Sequence, residues 1–172
     1  VRSTWDYAPR RPEFLAWADR VPRLANPADA LRWNTDKHYI KQFGEAGIPV
    51  MVTTWLEPER NFTPRDLHNR FPALEEFVIK PAIGAGSLES GRYTSTCANS
   101  RGIAIWHAHW RLQEGRTVRV QRYLPSVDVA GGSGLFFICG EYSPAASKAA
   151  LPNAPGAQAA ALEPGLGARA HE

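Results

Sequence analysis

The stretch Glu76–Ser87, EFVIKPAIGAGS, constrains the fold of this 172-residue chain more than any other. Phe77–Ile79 is a short apolar run that predicts a strand, and Lys80 lies where the run ends. An unpaired buried ammonium group is costly, so a lysine at this place needs an anionic partner. The two glycines of the loop Gly84–Ser87 allow backbone N–H groups to turn toward one point. The stretch is therefore interpreted as a phosphate-binding loop, and an ordinary turn beside a solvated lysine is the alternative.

Two common phosphate-binding motifs do not fit this stretch. A P-loop requires Gly-Lys followed by Ser or Thr at the start of a helix, and a dinucleotide-binding fingerprint requires a third glycine and an apolar helix. Residues 88–96, LESGRYTST, instead predict a turn followed by a polar strand. The sequence therefore predicts a strand–loop–strand hairpin that covers a ligand.

Composition places the chain among globular proteins and gives little support to nucleic-acid binding. Hydrophobic residues make up 44% and charged residues 22% of the sequence. Sixteen arginines and four lysines against seventeen acidic residues give a net charge of +3. The basic residues are scattered and form no run of five like charges. We expect no nucleic-acid partner, and the rarity of lysine draws attention to each one.

The two cysteines and the hydropathy pattern bear on the cellular compartment. Cys97 and Cys139 are far apart and form no CxxC motif. The sequence contains no signal peptide and no apolar run long enough to cross a membrane. The sequence thus predicts reduced thiols in a cytoplasmic protein without a membrane partner. Because the chain begins at Val1 and leads directly into segments with the pattern of folded structure, it is expected to be a trimmed or fragmentary polypeptide, and an unusual start codon is the alternative.

A helix is predicted to begin shortly after Asn34 or Thr35 and to end at Gly47. Asn34 or Thr35 is expected to be its N-cap, with Asp36 in the first turn and Gly47 at the end. Lys37 would then lie near the helix N-terminus, which disfavours a cation unless an anion is nearby. Solvent exposure of this lysine is the alternative reading.

Further elements are predicted from local signals. The strand Val50–Trp55 precedes a short helix that Thr63 caps and Pro64 begins. Residues 101–114 predict a helix, residues 117–123 a strand, and residues 135–143 a hairpin turned at Gly140-Glu141.

The HxH pair of the long predicted helix has the residue type of a metal site. His107 and His109 lie two positions apart, so on a helix they point to different faces and cannot chelate one ion together. Both are predicted to be ordinary surface histidines, and no metal ligands are predicted in this chain.

The order of these segments resembles the ATP-grasp superfamily, in particular its glutathione-synthetase-like and RimK-like bacterial members. RSTWDY, RWNTDK, VIKPAIGAGS, QRYLPSVD and GEYS carry the resemblance, which covers residues 1–148. It implies an α+β fold, with an ATP-grasp small subdomain of antiparallel sheet and packed helices plus remnants of flanking subdomains. Residues 1–30 would end a preceding substrate domain and residues 31–148 would form the nucleotide-binding region. Residues 149–172, rich in Ala, Pro and Gly, are expected to be a disordered tail.

The resemblance implies an ATP site between two subdomains. Lysines would contact the phosphates, a glycine-rich flap would cover the β- and γ-phosphates, a hinge would hold adenine, and an aspartate would lie near the ribose. The residues that match these parts are Lys37, Lys80, Gly84, Ala85, Gly86, Ser87, Gln121, Arg122, Tyr123, Leu124 and Asp128. Arg2, Asp6 and Lys148 are weaker candidates for substrate contact, and for Arg2 and Asp6 a structural salt bridge is the favoured alternative. The catalytic residues remain unknown.

The resemblance also implies a reaction. Family enzymes activate a carboxylate as an acyl phosphate and add an amine or thiol, releasing ADP and phosphate, with Mg²⁺ neutralising the phosphates. Small-molecule carboxylates and amines or thiols are therefore the implied substrates. The family's magnesium ligands lie in a C-terminal acidic and asparagine-containing segment, and nothing after Lys148 resembles it. The chain also has Gly131-Gly132 and Pro144 where relatives carry an acidic residue and a histidine.

These departures lead to two predictions about activity. The first is an incomplete and inactive homologue of ADP-forming carboxylate–amine/thiol ligases that still binds ATP. The alternative is a non-catalytic nucleotide- or protein-binding module. The sequence leaves the oligomeric state open.

Overall fold

A computed structural model describes the backbone of residues 6–148 and the side chains of residues 6–144. Its helices are α1 (Arg11–Ala18), α2 (Ala28–Asn34), α3 (Tyr39–Glu45), α4 (Pro64–Arg70), α5 (Ala98–Gln113) and α6 (Ser126–Ala130). Its strands are β1 (Thr53–Leu56), β2 (Glu76–Pro81), β3 (Gly91–Thr94), β4 (Val118–Arg122), β5 (Gly132–Ile138) and β6 (Glu141–Lys148). A 3-10 turn at Pro58–Arg60 follows β1.

The strands form two antiparallel sheets. The larger has the order β1-β4-β2-β3, and β5 and β6 form a separate two-stranded sheet. With α4 and α5 packed on one face of the larger sheet, this is the α+β architecture that the resemblance implied, which is confirmed.

Alternation along the strands gives the larger sheet two different faces. Side chains at every second position share one face of a strand. Phe77, Ile79, Tyr93, Val118 and Val120 lie on one face and are buried against α4 and α5.

The opposite face carries polar side chains instead. The register pairs Lys80 with Arg119, Val78 with both Arg92 and Gln121, and Trp55 with Arg119. The candidate site is built on this polar face, while the apolar face holds the strands in place.

Two helix boundaries follow directly from local chemistry. The Thr63 hydroxyl accepts a hydrogen bond from the Asp66 N–H at 3.2 Å, and the Asp66 carboxylate accepts one from the Thr63 N–H at 2.9 Å. This capping box starts α4, with Pro64 at its first position, as predicted. At the other end of the core, Gly115 adopts a φ of +73° after α5, which ends the helix where the sequence predicted.

The predicted start of α3 is wrong. Thr35 ends α2 instead of capping α3, because its hydroxyl donates to the Arg32 carbonyl at 3.2 Å. Asp36 is not in a helical turn: its carboxylate accepts from the His38 N–H at 3.1 Å, which stabilises the link between the two helices. The helix α3 then begins at Tyr39.

Two predicted strands are also displaced. β1 begins at Thr53, so residues 50–52 precede the strand that was expected to contain them. Lys80 lies inside β2 and not at its end, because pairing with β4 continues through Pro81.

The β5–β6 hairpin turns at Cys139 and Gly140, with φ values of +52° and +85°. The register changes from Gly134↔Ala146 to Phe136↔Ser143, which leaves one extra residue on β6. Pro144 lies in this bulge, where its missing N–H costs no ladder hydrogen bond.

Candidate functional site

A cavity of about 720 Å³ opens on the polar face of the larger sheet. This volume is typical of sites that hold small molecules and cofactors. Eight of the eleven residues predicted to contact ATP line it: Lys80, Gly86, Ser87, Gln121, Arg122, Tyr123, Leu124 and Asp128. They come from β2, the loop before β3, the end of β4 and α6, so the fold brings together segments that are up to 48 positions apart in the sequence.

Lys80 is one of three cationic residues that line the cavity, with Arg92 and Arg122. Its Nζ lies 3.4 Å from the Gln121 Oε1, and Gln121 in turn donates to the Thr53 hydroxyl at 2.8 Å. Burial lowers the pKa of Lys80, and the nearby charge of Arg119 lowers it further. An anion in the cavity would relieve both effects, because it favours the charged ammonium.

The loop between β2 and β3 is fixed on both sides of its exposed tip. The Tyr7 hydroxyl donates to the Gly84 carbonyl at 3.0 Å, and Glu89 forms ion pairs with Arg116 at 2.5 Å and Arg111 at 3.2 Å. At the tip, Gly86 and Ser87 both have a φ of +61°. In a turn of this kind, successive backbone N–H groups can point toward one anion.

The segment that follows β4 forms the opposite wall. The Tyr123 N–H donates to the Glu76 carbonyl at 2.8 Å, which fixes the segment against β2. Its neighbours Arg122 and Leu124 also line the cavity, although the Arg122 guanidinium forms an ion pair with Glu75.

Asp128 takes part in a polar cluster at the cavity edge. The Tyr123 hydroxyl donates to its carboxylate, and Arg92 donates to the same carboxylate at 3.0 Å. The Arg92 guanidinium also bonds to Glu76 at 2.6 Å and lies 3.6 Å from the centre of the Tyr123 ring. The hydrogen bond from Tyr123, with those from Arg92, lowers the pKa of Asp128.

The other three predicted ATP contacts do not line this cavity. Gly84 and Ala85 lie at the base of the loop, where a Cβ on Gly84 would meet the Pro81 ring at 2.7 Å. The Lys37 N–H donates to the Ala82 carbonyl at 3.0 Å, and its Nζ donates to the Asn34 carbonyl at 3.0 Å. Lys37 is half-buried, and its backbone lies beside the residue that follows β2. Burial and then the Arg119 charge lower its pKa.

His38 fixes the segment that carries Lys37. Its ring stacks on Trp55 at 4.4 Å, and its two nitrogens contact Asp36 at 2.6 Å and Glu57 at 3.1 Å. Burial alone would lower the pKa of His38, but the hydrogen bonds to Glu57 and Asp36 outweigh it and the pKa is raised. The segment is thus attached to β1 by an imidazole between two carboxylates.

The weaker substrate candidates have separate positions. Asp6 lines a second, smaller cavity of about 370 Å³ beside α1, together with Tyr7, Arg10 and Trp17. The backbone of Lys148 ends β6, whereas its side chain and all of Arg2 lie outside the described residues. The predicted tail, residues 149–172, also lies outside them.

Sequence reasoning missed two arginines of the polar face and misplaced one histidine. Arg92 lines the cavity, and Arg119 lies on the polar face beside Lys80. Alternation could have found Arg119, because it lies two positions before Gln121 on the same strand. His107 is completely buried, not a surface residue as predicted, and its Nδ1 lies 2.7 Å from the Tyr93 hydroxyl.

Residues 6–148 contain neither a cluster of metal-binding side chains nor a membrane-spanning helix. No three His, Cys, Asp or Glu side chains in this range are close enough to hold a metal ion, and none is assigned to Mg²⁺. Within the same range no helix has the length and apolarity needed to span a bilayer.

Comparison with known proteins identifies a homologue. The family described as the N-terminal domain of D-cycloserine synthetase DcsG matches residues 1–26. The cycloserine biosynthesis protein DcsG of Streptomyces lavendulae is 37% identical over 155 residues, which cover 87% of this chain and 51% of that protein.

The crystal structure of D-cycloserine synthetase DcsG extends the match to three dimensions. It superposes with a TM-score of 0.74 at 35% identity, over 88% of this chain and 52% of that one. The chain is therefore homologous to DcsG, a synthetase, and it spans about half of the length of this relative.

Proposed function

We propose that this chain is the nucleotide-binding part of an ATP-grasp ligase homologue and binds ATP in the 720 Å³ cavity. The observation that carries the proposal is the meeting of Lys80, Gly86-Ser87 and the segment Gln121–Leu124 around one space. These are the segments that the ATP-grasp resemblance assigns to the phosphates and to adenine. The homology to a synthetase is consistent with this assignment.

The proposed pose divides the nucleotide between the two walls. Lys80 and the N–H groups of the loop tip bind the phosphates, since both supply positive charge to the same end of the cavity. Adenine lies against the segment after β4. Within the described residues, the Tyr123 carbonyl and the Leu124 N–H make no backbone hydrogen bond and are available to its polar edge. Asp128 lies near the ribose.

The proposed chemistry is that of ADP-forming ligases. An oxygen of a carboxylate substrate attacks the γ-phosphorus of ATP, the bond to the bridging oxygen breaks, and ADP leaves. The nitrogen of an amine or the sulfur of a thiol then attacks the acyl phosphate, loses its proton and displaces phosphate. Because the chain spans about half of its relative, we propose that it binds ATP without completing this reaction alone.

Calorimetry with AMP-PNP, a non-hydrolysable ATP analogue, tests the binding. We expect saturable binding by the unaltered chain and about 10- to 100-fold weaker binding by Lys80→Ala, the range for losing a charge-assisted hydrogen bond. Lys41→Ala is the matched control, because Lys41 is an exposed residue of α3 away from the cavity, and its affinity should be unchanged. Equal affinities for all three proteins, or no binding, would refute the proposal.

An activity assay tests the second half of the proposal. The chain is incubated with ATP, Mg²⁺ and a panel of amino acids, and ADP is measured. We expect no ADP release that depends on an added acceptor. Robust acceptor-dependent release would show that the chain is a complete ligase.

The alternative function, a non-catalytic protein-binding module, is favoured by the β5–β6 hairpin. Leu135, Phe136, Phe137, Ile138 and Tyr142 are 53–66% exposed, and an isolated two-stranded hairpin is at best marginally stable. The proposed partner of the hairpin is the half of the DcsG polypeptide that this chain does not match.

Analytical ultracentrifugation of this chain with that separately expressed half tests the alternative. If the hairpin binds it, a 1:1 complex forms, and Phe136→Ser with Phe137→Ser weakens it. The double change Glu59→Ser with Arg65→Ser, at exposed positions far from β5 in sequence, is the control. A complex that is unaffected by the phenylalanine changes, or no complex at all, rules this function out.

A further inference from the structure

Arg119 is the most buried charged side chain of the polar face, with 8% of its surface exposed. The β2–β4 register places it directly opposite Lys80, and the β1–β4 register places it opposite Trp55. Its Nε donates to the Pro81 carbonyl at 3.2 Å, and its guanidinium lies 5.9 Å from the centre of the Trp55 ring. The backbone of β2 and the indole thus hold the guanidinium on the face where the cavity opens.

The donor groups of Arg119 are mostly unused. A guanidinium carries five N–H donors in a fixed fork. Among residues 6–144, only the Nε–H of Arg119 has a hydrogen-bonded acceptor. The remaining donors belong to the two terminal nitrogens, which form the edge that binds carboxylate or phosphate oxygens in pairs.

Arg119 acts electrostatically on two lysines near the end of β2. After the larger effect of burial, its charge lowers the pKa of both Lys80 and Lys37. Among the ion pairs of the described residues, none joins Lys37, Lys80 or Arg119 to a carboxylate within 4.0 Å.

The carboxylate that acts on Arg119 through space is already engaged. The Asp36 carboxylate accepts a hydrogen bond from the His38 N–H and contacts the His38 ring. Buried charges of one sign without a partner are costly unless a ligand neutralises them. The cluster is therefore suited to a multiply charged anion.

We propose that Arg119 is a third phosphate-binding side chain of the nucleotide site, with its terminal nitrogens donating to phosphate oxygens next to Lys80. The proposal rests on the proposed nucleotide binding and adds a residue that the resemblance did not supply. The guanidinium grips two oxygens at once, so it fixes the direction of the polyphosphate, while the lysines supply charge.

This role has a thermodynamic signature that a structural role lacks. In the ligand-free protein Arg119 is a buried cation beside two others, so replacing it with an uncharged side chain of similar length relieves repulsion. In the complex the same replacement removes charge-assisted hydrogen bonds to the ligand. Arg119→Met is therefore expected to raise the melting temperature of the ligand-free protein and to weaken ligand binding.

The test compares Arg119→Met, Arg119→Lys and a control by calorimetry and thermal unfolding, with AMP-PNP, inorganic triphosphate and adenosine as probes. Arg101→Met is the control. Arg101 lies on α5 and donates to the carbonyls of Pro72 and His68, at 2.8 and 2.6 Å, which joins α5 to the end of α4. We expect Arg119→Met to bind AMP-PNP about 10- to 100-fold more weakly, to lose affinity for triphosphate, and to keep its affinity for adenosine. Arg119→Lys should regain part of the loss.

Without ligand, Arg119→Met should melt about 2–4 °C higher than the unaltered chain, and Arg101→Met should melt lower with unchanged affinities. If AMP-PNP binds and Lys80→Ala weakens it while Arg119→Met does not, this inference is wrong and the proposed function stands. If AMP-PNP does not bind but triphosphate binds in an Arg119-dependent manner, the anion site stands and the ATP assignment fails. Failure of both probes to bind the unaltered chain overturns both.

Discussion

The buried pair of His107 and Tyr93 makes the stability of this fold depend on pH in a predictable direction. His107 lies on α5 at zero exposure, its Nδ1 bonds to the Tyr93 hydroxyl, and its Nε2 has no hydrogen-bond partner within the described residues. Tyr93 lies on β3 next to Arg92, so the pair supports the strand that carries a cavity residue on its other face. The perturbation is His107→Gln, which keeps an acceptor for the Tyr93 hydroxyl and removes the titrating ring.

The magnitude follows from the pKa. Burial, with the neighbouring Arg111 charge, lowers the pKa of His107 from 6.5 to about 4. Protonating the ring in the folded protein therefore costs about 3 kcal/mol more than in the unfolded chain. Because the folded pKa is depressed, this stability is fully present above pH 6.5 and is lost as the pH falls from 6.5 to about 4. Between pH 6 and pH 5, this group alone lowers the free energy of unfolding by roughly 1 kcal/mol.

The assay is urea unfolding at a series of pH values from 5 to 7, for the unaltered chain and His107→Gln. The variant can differ in stability at every pH, but its free energy of unfolding should fall less steeply on acidification than that of the unaltered chain. The difference between the two slopes corresponds to about one proton taken up on unfolding over the lower part of this pH range. His109→Gln, a change at a half-buried position of the same helix, controls for the loss of a histidine. Parallel pH profiles for the unaltered chain and His107→Gln would refute the reasoning.

Two other predictions concern the packing and charge around the cavity. A Cβ on Gly91 would lie 2.3 Å from the Tyr93 hydroxyl, so Gly91→Ala should lower the free energy of unfolding by about 1–3 kcal/mol. Gly102→Ala, at a helical position with open space, should raise it by about 0.5–1 kcal/mol. Similar effects of both changes in urea unfolding would contradict this. The pKa of His38 is raised by two carboxylates that outweigh burial, so its stabilisation is present below pH 6.5 and is lost as the pH rises through the folded value. Melting temperatures at pH 6 and pH 8.5 should therefore differ less in His38→Gln than in the unaltered chain, and an unchanged difference would count against this ion-pair geometry.

Local signals in the sequence predicted those elements whose ends are fixed by neighbouring residues. Thr63 and Pro64 start α4 through contacts within four residues, and Gly115 and Gly140 supply positive φ values that other side chains resist. The prediction around Asp36 was wrong because Asp and Thr side chains can bond to backbone groups on either side of them. Here the Thr35 hydroxyl bonds backward to Arg32, a choice that the sequence alone leaves open.

Side-chain burial was harder to predict than element type. On α5 the helical period defines faces, but the large Trp106 is 45% exposed and stacked on Trp110, while the polar His107 is inside. The Tyr93 hydroxyl makes that burial possible, and Tyr93 comes from a strand that is 14 positions away. Long-range partners of this kind cannot be read from helical spacing.

The residues of the candidate site also differ in whether the sequence could predict them. The resemblance located Lys80 and the loop Gly84–Ser87, because these lie in a contiguous motif. Arg92 and Arg119 occupy ordinary alternating positions of β3 and β4, and only the strand register places Arg119 opposite Lys80 and Arg92 opposite Val78. Whether a cation on a strand faces a core, a cavity or solvent is decided by the neighbouring strands.

A crystal structure of the chain with AMP-PNP would locate the bound nucleotide. We expect the triphosphate beside Lys80, Arg119 and Gly86-Ser87, and adenine against the segment Gln121–Leu124. Nucleotide density in the smaller cavity beside α1, or a cavity on the polar face that stays empty at saturating AMP-PNP, would contradict it.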